Sequence, residues 1–87
     1  MNERELLELA AKAGGVEGWK VNNGMGTWNP LADDGEALRL AADLDLFGAP
    51  TYWHFLALAR IKNNTNKYAN VRLAIVRAAA EIGKAMP

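Results

Sequence analysis

Apolar positions recur every three or four residues in three stretches of this 87-residue chain and alternate with polar ones in another. Asn2 to Ala13 has the helical period, with Leu6, Leu9, Ala10 and Ala13 on one face and Leu7 beside them. Asn2 is a capping residue with Glu5 three positions on, and Gly14-Gly15 supplies the stop. Asp33 to Leu46 repeats the period through Leu38, Ala41 and Leu44 with Ala37 and Leu40, ahead of Gly48 and Pro50. Lys67 to Met86 carries the clearest signal, in Tyr68, Val71, Ile75, Ala78, Ala79, Ile82 and Met86. Leu73, Val76 and Ala80 widen that stripe, so this helix is expected to be covered on more than one side.

Two further stretches read as strands, the first by alternation and the second by its strand-favouring aromatic residues. Between Glu17 and Asn29, Trp19 and Val21 alternate with Gly18, Lys20 and Asn22, and Asn23-Gly24 suits a two-residue hairpin turn. Thr27 and Trp28 belong to the returning strand, which Pro30 ends because it has no N–H for the ladder. Thr51 to Lys62 holds Tyr52, Trp53 and Phe55 and is assigned to a third strand, although Tyr52, Phe55, Leu56 and Ala59 also fall on one helical face. On the strand assignment His54 points away from Trp53 and Phe55. The polar run from Asn63 to Asn66 forms a turn and a cap. The element order is α-β-β-α-β-α, an α+β fold with a short, mostly antiparallel sheet. At this length one domain spans 1–87.

Two blocks of the chain carry a resemblance. "WNPLADDGEALRLA" from Trp28 and "YANVRLAIVRAAAEIGKAM" from Tyr68 together make up a little over a third of the residues. In this order they resemble the phage ABA sandwich domain, a family of small bacteriophage and prophage proteins. The resemblance implies a three-layer α/β/α sandwich and a phage or prophage origin, and implies no activity or site residues. Ala32 stands where relatives commonly carry a hydroxyl residue, and Asp45 to Asn66 matches no pattern of the family.

Charge divides the chain. Up to Phe47 four basic residues face nine acidic ones, a balance of −5; from Gly48 onward six basic residues face Glu81 alone, a balance of +5. Such a split either pairs across the folded domain or presents a dipolar surface to a partner.

Catalytic groups are scarce. The chain has no serine, cysteine or glutamine, and its single imidazole is His54, so neither a Ser–His–Asp nor a Cys–His constellation can form. Its glycines lack the spacing of a phosphate-binding loop. Asp33, Asp34 and Glu36 lack the oxygen spacing of a calcium loop and read as a helix start. Asp33 would accept from the Glu36 N–H, Glu36 would reach back to the Asp33 N–H, and Asp34 would stay available to a partner.

A non-enzymatic phage accessory protein that binds another protein, in a host-interaction or anti-defence role, is the expectation. Asp34, Trp53, Arg60, Arg72 and Arg77 are the candidate contact residues. The partner is expected to be a host or phage protein or a second copy of the chain rather than a nucleic acid or a membrane, and no metal or cofactor is expected. No apolar run approaches the roughly 18 residues of a membrane span and no signal peptide is recognised, so host cytoplasm is the expected location. The alternative function is nucleic-acid binding through the basic C-terminal helix, where Arg72, Arg77 and Lys84 cluster with Lys67 and Arg60 nearby.

Overall fold

The computed structural model describes residues 2–16, 28–62 and 66–87. Its regular elements are all helical: α1 Glu3–Gly14, α2 Asp34–Asp43, a 3-10 turn Leu46–Gly48, α3 Pro50–Lys62 and α4 Lys67–Ala85. No strand occurs among the described residues. The α+β expectation and the α/β/α sandwich implied by the family resemblance are therefore both corrected to an all-helical arrangement of the described residues. The hairpin expected at Glu17 to Asn29 lies mostly outside the described residues, and Trp28 and Asn29 at its end are not in a strand.

The third strand is replaced by α3, for a local and a nonlocal reason. Pro50 is the first helical residue, where its fixed φ suits the turn and its missing N–H costs nothing. Tyr52 and Ala59 are buried, with Phe55 and Leu56 half-buried between them, while Trp53 and His54 stay exposed. That is the helical stripe, turned toward α4; aromatic preference for strands yields where such a surface is offered.

α4 lies at the centre and packs against α1 most extensively, then α3, then α2. Eight of its residues are buried: Asn70, Ala74, Ile75, Val76, Ala78, Ala79, Ala80 and Gly83. The expected cover on several sides is thus observed, whereas Tyr68, Ile82 and Met86 of the expected stripe are exposed. The seam with α1 is built from small side chains. Ala10 and Ala11 are buried on α1, and a Cβ added at Gly83 would fall 2.1 Å from the Leu9 carbonyl oxygen. Only glycine fits there, because the obstacle is backbone that no rotamer change moves.

The helix starts follow their caps. Asn2, Asp33 and Asn66 accept from the N–H of Glu5, Glu36 and Ala69 at 2.8, 2.9 and 3.0 Å. Gly15 ends α1 in the left-handed region with φ 68°.

Candidate functional site

The stretch ahead of α2 winds into a turn instead of ending a strand. The Asn29 side chain accepts from Leu31 N–H at 3.1 Å, and its carbonyl accepts from Ala32 and Asp33 at 3.0 Å each. Pro30 is fully buried beneath this turn. The Glu36 carboxylate accepts from the Asn29 N–H at 2.5 Å, not from the Asp33 N–H that a capping box requires. This carboxylate ties the turn to the helix it precedes.

Asp34, expected to remain available, is paired. Arg72 on α4 donates from Nη1 to Asp34 Oδ1 at 2.5 Å and from Nε to the Leu31 carbonyl at 2.8 Å. One guanidinium therefore joins the middle of the central helix to the start of α2. Its side chain is 18% exposed against 73% for Asp34, so the pair sits at a rim, half in solvent.

Below that rim runs an apolar groove of about 260 Å³ between α2 and α4. Ala37 and Leu38 of α2, Phe47 of the 3-10 turn, and Tyr68, Val71 and Ile75 of α4 line it. Ile75 forms buried floor, while Leu38, Phe47 and Tyr68 are 58%, 41% and 63% exposed. These three large side chains are exposed together along one concavity, in contrast to scattered single exposed leucines.

The 3-10 turn positions Phe47. Asp45, in the left-handed region at φ 52°, redirects the chain so that Leu46 enters the core and Phe47 faces out. The Trp53 indole N–H donates to the Phe47 carbonyl at 2.9 Å. The Tyr52 ring meets Phe47 edge to face at 5.2 Å, and burial pushes the Tyr52 phenol pKa above its usual value. Trp53, a sequence candidate for direct contact, thus braces the groove's end from behind while remaining 54% exposed.

Of the five candidates, Asp34 and Arg72 meet at the groove. Arg77 lies on another side of α4, its guanidinium 4.5 Å from the Phe55 ring centroid, and Arg60 is exposed on α3. Leu38, Phe47 and Tyr68 were missed. Leu38 and Tyr68 had been assigned to buried stripes, and the usable signal was the breadth of those stripes. Ala37, Leu38, Leu40 and Ala41 span more of a ten-residue helix than one neighbour covers.

No protein-family model, curated protein or solved structure matches the chain. Among the described residues no group of three or more His, Cys, Asp or Glu is placed to hold a metal ion, and no helix is long and apolar enough to cross a membrane.

Proposed function

We propose that this chain is a non-catalytic accessory protein of a bacteriophage or prophage, working in the host cytoplasm, that recognises a partner protein through the groove between α2 and α4. The observation that carries the reading is the grouping of exposed Leu38, Phe47 and Tyr68 over the buried Ile75. The phage origin rests on the two motif blocks at Trp28 and Tyr68 alone.

A volume of about 260 Å³ lies just below the roughly 300–1,000 Å³ of small-molecule sites. It suits one or two anchoring side chains of a partner segment. The Asp34–Arg72 pair supplies a polar rim of the kind that surrounds such anchors. The partner is a heterologous protein presenting apolar anchor residues on a helix or turn.

Light scattering on the purified chain, with capture from bacterial host lysate, tests this. A monomer that retains a partner, and loses it on Leu38→Asp, supports the reading. A monomer that retains nothing, or equal retention by Leu38→Asp, contradicts it. A stable dimer disrupted by Leu38→Asp would replace the heterologous partner with a second copy.

A further inference from the structure

A second concavity lies on another side of α4 and has the opposite chemistry. It encloses about 400 Å³ where α1, α3 and α4 meet, with Leu6, Phe55, Lys62, Arg77, Glu81 and Lys84 in its lining. α3 and α4 together carry Arg60, Lys62, Lys67, Arg72, Arg77 and Lys84 against Glu81 alone. Arg72 is committed to Asp34; of the other five, Lys62, Arg77 and Lys84 line this concavity beside Glu81, and Arg60 and Lys67 line a different one. Glu81 lies 3.5 Å from Lys84, and among the described residues no carboxylate partners Arg77 or Lys62.

Arg77 is held for contact. Its guanidinium lies 4.5 Å from the Phe55 ring centroid, and stacking engages the plane while the N–H edge stays available to an oxyanion. Arg77 and Lys84 lie on one face of α4, about 10 Å apart along it, and Lys62 of α3 lines the same concavity. Three cations spread along one concavity match successive phosphates of a linear polyanion better than a single phosphate. We propose that this cleft binds the phosphodiester backbone of a single-stranded nucleic acid. Single-stranded is specified because α4 is covered by α1, α2 and α3 and cannot enter a major groove about 12 Å wide.

Fluorescence anisotropy of a labelled single-stranded oligonucleotide of about 12 nucleotides, titrated with the full chain, tests the proposal. Three phosphate contacts predict a log–log salt slope of about −2 on a single strand. The double variant Arg77→Glu/Lys84→Glu should weaken binding about tenfold or more and flatten that slope, while Arg39→Glu on α2 leaves both unchanged. Circular dichroism checks the fold of each variant. Lys62→Gln/Arg77→Gln, which only removes charge, provides the same comparison with a smaller loss if the reversal variant unfolds. No anisotropy change at low salt, or equal binding by the folded charge variants, overturns the proposal. Cosedimentation with phosphatidylserine vesicles without oligonucleotide binding overturns it in favour of a membrane surface.

Discussion

Where α4 meets α1, glycine and alanine let the two backbones come close; where it meets α2, Tyr68, Val71, Arg72 and Ile75 line an open groove. Close approach of small residues gives many weak contacts, so that seam contributes stability. Large side chains along a groove leave concave apolar surface, which a monomer keeps exposed at a cost in solubility. On the proposed function one helix separates stability and recognition by face, and substitutions at the two faces should report on different properties.

The largest effect is expected at the closed seam. Gly83→Leu should abolish folding, and Gly83→Ala should lower unfolding free energy by about 3 kcal/mol in urea titration, although alanine ordinarily favours a helix. An alanine variant as stable as the parent would mean that α1 does not lie against Gly83, and the contrast between the faces would collapse. At the groove, a buried and an exposed residue should separate. Ile75→Ala should cost about 2–5 kcal/mol as a core truncation, and Leu38→Ala less than about 1 kcal/mol. Equal costs would show Leu38 to be core and the groove closed.

The rim pair should matter less again. Asp34→Ala should cost about 0.5–1 kcal/mol at low ionic strength and less as salt rises, since most of the carboxylate is in solvent. A loss that salt does not diminish would point to a role for Asp34 beyond the ion pair. The smallest effect concerns Tyr52, whose folded-state pKa is raised by burial. Its contribution to stability is fully present below the unfolded value near 10 and is lost as pH rises above it. Tyr52→Phe should therefore reduce the alkaline fall in melting temperature, and an unchanged alkaline limb would remove Tyr52 as its source.

The helix caps at Asn2, Asp33 and Asn66 were legible because capping chemistry acts within three residues, a distance that spacing rules describe well. The tie from Arg72 to Asp34 spans 38 residues and could not be read from any local pattern. Thr51 to Lys62 was misassigned because its aromatic residues satisfy a strand preference and a helical stripe together, and the deciding factor is the surface of α4. The sandwich expectation failed with it. Leu38 and Tyr68 illustrate another limit. Periodicity marks an apolar arc but not how much of that arc the neighbours cover, and in α2 the smaller Ala37 and Ala41 are buried while Leu38 is left outside. The groove was therefore hidden among residues that looked like core, while the charged rim at Asp34 and Arg72 was already among the candidates.

The most direct test of the division of labour along α4 is Leu38→Asp, measured for thermal unfolding and for partner retention on the same preparation. The expected result is a melting temperature within a few degrees of the parent, consistent with the small cost of surface substitutions, together with loss of the retained partner. A variant that unfolds would place Leu38 in the core, and one that melts normally yet retains its partner would show that recognition does not use this groove.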